Sequence, residues 1–162
     1  TFPQDLPRAR DLRSAITALS DDVAARVRRS GMWANGVQLT VKNPALRIIQ
    51  RQKQLGFSTR VSEDLANACY DLLRENWQEG KPVRMLTVTA ISLSEEPVSV
   101  QQSFFEEAPQ MDEKKAKLET SVDAIRRRFG NGAIARASTM TPVIGLRSLY
   151  ESKEIDQEKE KE

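Results

Sequence analysis

A chain of 162 residues, 39% of them hydrophobic, has room for one domain with a modest core and an appendage. It contains no histidine, which excludes Ser/His triads, the commonest general base and most transition-metal sites, and its carboxylates form no converging pair, so no catalytic residue, metal ligand or cofactor is assigned to it. The net charge of +2 conceals +5 over residues 1–94 and −3 over residues 95–162.

In chain order, Leu12, Ile16, Leu19, Val23 and Val27 recur at helical steps, predicting one amphipathic helix over Ala9 to Ser30 with Gly31 as its stop. Ser20-Asp21-Asp22 could divide it, but the apolar stripe runs through. Val37, Leu39 and Val41 alternate with Gln38, Thr40 and Lys42, a half-buried strand. Asn43-Pro44-Ala45 is a turn into a second, antiparallel strand from Leu46 to Lys53 or a little beyond. Ser62 reads as the N-cap of a second helix, Glu63 to Gln78, whose stripe is Leu65, Cys69, Leu72 and Trp77, with Gly80 after it. Val83 to Leu93 alternates again, with Leu86, Val88 and Ala90 against Thr87 and Thr89. A polar, acidic stretch follows, broken by Val98, Val100 and Phe104-Phe105. Met111 to Phe129 predicts a third helix, with Leu118, Val122, Ile125 and Phe129 as the stripe that docks on the body or on a partner. Ala133 to Ser138 reads as a short strand or a docked extended segment, and Glu151 to Glu162 as a charged tail.

The order helix, strand, strand, helix, strand lacks one strand of a ferredoxin-like βαββαβ unit. The expected fold is therefore α+β: an antiparallel sheet with two helices on one face, its first strand truncated at Thr1-Phe2, plus a C-terminal helical extension. The expected divisions are 1–94 for this domain, 95–110 for a linker, 111–150 for the extension and 151–162 for the tail. No run of apolar residues is long enough to span a membrane, no signal peptide is visible, and the single Cys69 fits a cytoplasmic setting. The start without Met reads as a piece of a longer protein.

From Val23 to Ser62 there is no acid, yet the stretch carries Arg26, Arg28, Arg29, Lys42, Arg47, Arg51, Lys53 and Arg60. A solvated surface mixes signs, so this block points to a polyanion. A free-standing ferredoxin-like nucleic-acid-binding module, such as an RNA binder, is the alternative; it would show aromatic residues on the sheet for base stacking, and here Gln, Thr, Lys and Arg stand there. A small-molecule regulatory domain lacks a Gly-rich loop to support it.

Six segments in order carry a more specific reading. They are Thr1-Phe2-Pro3-Gln4-Asp5-Leu6; Val37-Gln38-Leu39-Thr40-Val41-Lys42; Ile49-Gln50-Arg51-Gln52 with Leu55; Trp77 with Pro82-Val83-Arg84-Met85-Leu86-Thr87-Val88; Gln101-Gln102-Ser103-Phe104-Phe105; and Asp123-Ala124-Ile125-Arg126-Arg127-Arg128-Phe129-Gly130. Together they resemble the C-terminal, little-finger region of bacterial Y-family translesion DNA polymerases of the DNA polymerase IV and UmuC-like kind. Thr40 stands where that family often has Lys, Thr87 where it has Gly, and Ala45-Leu46 where it has Asp-Phe.

The resemblance implies a non-catalytic part of a polymerase, whose Mg-binding palm carboxylates lie elsewhere in the parent protein. It implies that the open sheet face contacts the phosphates of a template–primer duplex, sequence-indifferently, through Gln38, Thr40, Lys42, Gln50, Arg51, Lys53, Arg84 and Thr89. Arg51 shares the parity of Ile49, so its place on that face requires a bulge or another register. The resemblance also implies that Gln101, Ser103, Phe104 and Phe105 bind the bacterial sliding clamp, the alternative being that the two Phe residues pin this segment to the core.

Overall fold

The computed structural model describes residues 2, 5, 6, 8–98 and 113–139. Helix α1 (Ala9–Arg29) is followed by strands β1 (Ala34–Lys42) and β2 (Ile48–Thr59), helix α2 (Ser62–Asn76), strand β3 (Met85–Ile91) and helix α3 (Glu113–Phe129). The fold is α+β, a three-stranded antiparallel sheet in the order β2-β1-β3 with helices packed on it and a C-terminal helix beyond. Because β1 pairs directly with both neighbours, the N-terminal segment continues the sheet outside β3. The Phe2 N–H donates to Arg84 O at 2.9 Å, and Leu6 bridges Val83 antiparallel.

α1 is one unbroken helix because its apolar stripe never lapses, with Leu12, Ile16, Val23 and Val27 all buried. It ends where Gly31 takes φ 74°, which lets the Met32 N–H reach back to Val27 O and the Gly31 N–H to Arg28 O. That paired closure satisfies carbonyls the helix end would leave orphaned. Ser20 and Asp21 do not split the helix; both are buried on it, Asp21 against Arg126 and Arg136. α2 buries Leu65, Cys69 and Leu72 against the sheet, and Trp77 packs half-buried at its end. Burial pushes the Cys69 thiol up to about 12, so it is a core residue and not a nucleophile.

β1 supplies Val37, Leu39 and Val41 to the core and β3 supplies Leu86 and Val88, as alternation predicts. β2 runs six residues past Lys53. Near its end the β1–β2 register shifts between Ala34 and Gly36. A Cβ on Gly36 would come within 2.9 Å of Ile91 Cγ1 and 3.0 Å of Lys53 O, so a side chain there would force Ile91 or the strands to shift.

Docking of α3 on the described body is not apolar: of its stripe Leu118, Ile125 and Phe129 are exposed and Val122 is half-buried, which leaves a partner as the expected use of that stripe, while Glu119 is 4% exposed. The docked face is the polar one. Nor does Ser62 cap α2 with its own side chain. Val61 holds the N-cap position without a side-chain bond, and the Glu119 carboxylate accepts from the Ser62 N–H at 3.0 and 3.1 Å and from its hydroxyl at 2.5 Å. Arg28 then bridges Glu119 and Asp123, Arg126 pairs with Asp21 at 2.8 Å, and Arg136 joins Glu119 at 2.7 Å to Asp21 at 3.7 Å. The predicted segment after α3 is thus docked through Arg136 and ends in a 3-10 turn at Ala137–Thr139.

Candidate nucleic-acid interface

Both helices of the core lie on one side of the sheet, so the other side is uncovered among the described residues. Paired residues of an antiparallel sheet share a face, and the register therefore lays out that side row by row. Gln52, Gln38 and Thr89 form one row, Gln50, Thr40 and Thr87 the next, and Ile48, Lys42 and Met85 the last. The six residues of the first two rows are all polar, and among the described residues none of their side chains has a hydrogen-bonding partner in the protein. They can donate to oxygens laid across the sheet.

Of the residues expected here, Gln38, Thr40, Lys42, Gln50 and Thr89 come together on this face. Arg51 and Lys53 do not. The register pairs Leu39 with Arg51 and Val37 with Lys53 without a bulge, so both stand on the helix side of the edge strand. The Arg51 Nε donates to Asn76 Oδ1 at 2.9 Å, and Lys53 lies 3.7 Å from Asp71 on α2. Alternation with Ile49, rather than the string of cations, decided their side. Arg84 precedes β3, half-exposed, with Asp5 at 3.8 Å and its N–H donated to Lys42 O. Gln52 and Thr87 belong to the face and were missed, although each sits two residues from a residue that was chosen.

The acid-free block is also less positive in space than in sequence. Arg28 is neutralised by Glu119 and Asp123, residues more than ninety positions away. Arg60 spends its guanidinium on the carbonyls of Met32 and Gly31 and stacks 4.1 Å over Trp33, which in turn bridges Ser94 at the sheet edge. Arg26 pairs with Asp22. Among the described residues, Lys42, Arg47 and Arg29 are the cations of the block whose side chains have no partner. Lys42 and Arg47 belong to the β1–β2 hairpin that carries the open face.

The residues named for clamp binding, Gln101, Ser103, Phe104 and Phe105, lie outside the described residues. The last described residue before them, Val98, donates its N–H to Ser58 Oγ at 2.7 Å near the end of β2.

Residues 1–105 match the impB/mucB/samB family C-terminal domain. The chain is 33% identical over 139 residues to a DNA polymerase IV from Acetivibrio thermocellus, covering 84% of this chain and 34% of that protein. It is 30% identical over 147 residues to a DNA polymerase IV from Pelotomaculum thermopropionicum, covering 91% and 35%. It is 29% identical over 142 residues to the putative UV-damage repair protein UvrX of Bacillus subtilis, covering 86% and 33%. The chain thus spans about one third of the length of the curated relatives it matches.

Proposed function

The chain belongs to the impB/mucB/samB C-terminal domain family, as the C-terminal region of a Y-family translesion DNA polymerase, and we propose that its open sheet face grips template–primer duplex through phosphate contacts. The observation that carries this reading is the uncovered face itself: two rows of unpartnered polar side chains ending at Lys42. Short neutral donors suit a polymerase that must slide over any sequence, because phosphates present the same oxygens at every step and carry no sequence information. Gln38, Thr40, Gln50, Gln52, Thr87 and Thr89 supply donors, and Lys42 with Arg84 supplies charge. Arg51 and Lys53 stand at the sheet edge on the helix side, engaged with Asn76 and Asp71.

In the same reading, Gln101, Ser103, Phe104 and Phe105 tether the parent enzyme to the sliding clamp, with the two Phe residues as apolar anchors. The setting is cytoplasmic, and no described helix is long and apolar enough to cross a membrane. Nucleotidyl transfer belongs to the remainder of the parent polypeptide. No three His, Cys, Asp or Glu side chains gather to hold a metal among the described residues.

The face assignment is tested by comparing Lys42→Ala with Arg51→Ala. Lys42→Ala is expected to weaken every duplex alike and to make the slope of log affinity against log salt shallower by roughly one unit. Arg51→Ala, already engaged with Asn76, is expected to change that slope by well under one unit. Equal effects, or a larger one at Arg51, would place the grip on the sheet edge instead of its open face.

A further inference from the structure

On the helix side, away from the open face, the start of α1 and the end of α2 leave a cavity of about 210 Å3 between them. The buried Leu12 and Leu73 and the half-buried Tyr70 and Trp77 line it, together with the exposed Arg74 and Glu79. Its aromatic residues are held in place by the protein itself. Trp77 leaves α2 in an extended conformation, its N–H on Leu73 O at 2.8 Å and its indole N–H on Lys81 O at 3.1 Å. With the indole N–H spent, Trp77 offers the cavity an apolar ring. The Arg13 guanidinium lies 4.9 Å from the centre of the Tyr70 ring and braces it from α1.

The groups left free around the cavity are mainly cations and hydrogen-bond donors. Among the described residues, the Tyr70 hydroxyl has no hydrogen-bonding partner, and Arg74, Arg8 at the start of α1 and Lys81 beside Gly80 have no partner for their charge. The free acids there are Glu75 and Glu79, since Asp11 is buried and Asp71 pairs with Lys53 at 3.7 Å. The volume falls below the roughly 300–1,000 Å3 of a small-molecule site and suits one large apolar side chain. Donors around an aromatic-lined slot complement carboxylates that flank such a side chain. A continuous phosphate backbone would meet Glu79, and a like charge there opposes it.

We propose that this cavity is a docking site for a protein partner, an acidic peptide that inserts one large apolar side chain beside Tyr70 and Trp77 and sets its carboxylates against Arg74 and Arg8. The site lies across the sheet from the open face, so it is independent of the proposed grip on DNA. The test uses the 162-residue chain and a fluorescein-labelled peptide of glutamates around a single phenylalanine, read by anisotropy. The parent chain is expected to bind it, less tightly as salt rises. Exchanging the phenylalanine for alanine, or the glutamates for glutamines, is expected to weaken binding roughly ten-fold. Arg74→Glu is expected to weaken it by roughly ten-fold or more with duplex binding and melting temperature unchanged, because Arg74 is exposed and unpaired. Ala9→Leu, which fills the cavity from its α1 side, is expected to block the peptide in a chain that still unfolds cooperatively. Absence of peptide binding, or equal binding by both variants, would overturn the site and leave the grip untouched. Displacement of the peptide by a single-stranded or duplex oligonucleotide would make nucleic acid the occupant, and binding that weakens as protein concentration rises would make it a second copy; either result overturns the proposal.

Discussion

Arg28→Ala is expected to release α3 from the body while leaving the sheet folded. The Arg28 side chain is 11% exposed and bonds both the buried Glu119 and Asp123, at 2.6 Å and 2.9 Å for the latter. Burial works against its charge, but Asp123 and Glu119 outweigh that and raise its proton affinity, so it stays cationic. Removing one member of such a buried set costs about 3–5 kcal/mol, because the carboxylates left behind have lost their counter-charge inside the protein. The larger apolar residues of α3 add little to hold it in place, since Leu118, Ile125 and Phe129 face solvent and only Val122 is half-buried. The helix should therefore relieve the strain by undocking and solvating Glu119 and Asp123. Amide hydrogen exchange checks this: protection in 113–129 should fall sharply, and protection in β1 and β3 should hold. Unchanged exchange in α3, or equal loss through the sheet, would show that the ionic set is not what docks it.

Phe104→Ala with Phe105→Ala is expected to abolish binding to a bacterial sliding clamp with no change in melting temperature. Burying two phenylalanines in a clamp pocket gains ~3–6 kcal/mol gross, and ordering the peptide removes a few kcal/mol of that. On the proposed reading the net would be a micromolar-scale tether. With both anchors gone, nothing sizeable is left to fill the pocket. Should the pair instead belong to the core, the double variant would lose several kcal/mol of stability. Clamp affinity and thermal unfolding measured on the same protein separate the two cases. Clamp binding that persists, or a large drop in melting temperature, would contradict the tether.

The elements with a sustained period were legible from residues alone. α1 shows its stripe from Leu12 to Val27, β1 its alternation from Val37 to Val41, and β3 its Leu86 and Val88 face. β2 was read too short because Gln50-Arg51-Gln52-Lys53-Gln54 has no apolar residue to mark a period. That segment is an edge strand with one side in solvent and the other against polar groups of α2. The side on which Arg51 stands was latent in its parity with Ile49, and local alternation proved a better guide than charge. The face by which α3 docks on the body was missed for a different reason. A hydrophobic stripe signals the docked face only when the contact is apolar, and here docking rests on charges. Asp21, Arg28, Glu119 and Asp123 come together across more than ninety positions of chain, a separation that no window of sequence can register. The same pairing explains why the acid-free block overstated the positive surface.

The central claim, a sequence-indifferent grip on duplex phosphates by the open sheet face, is met most directly by equilibrium binding of the chain to two duplexes of unrelated sequence over a range of salt concentrations. With about four phosphate contacts, log affinity should fall against log salt with a slope near −3 to −4, the same for both duplexes. A flat salt response, or a marked preference for one sequence, would contradict it.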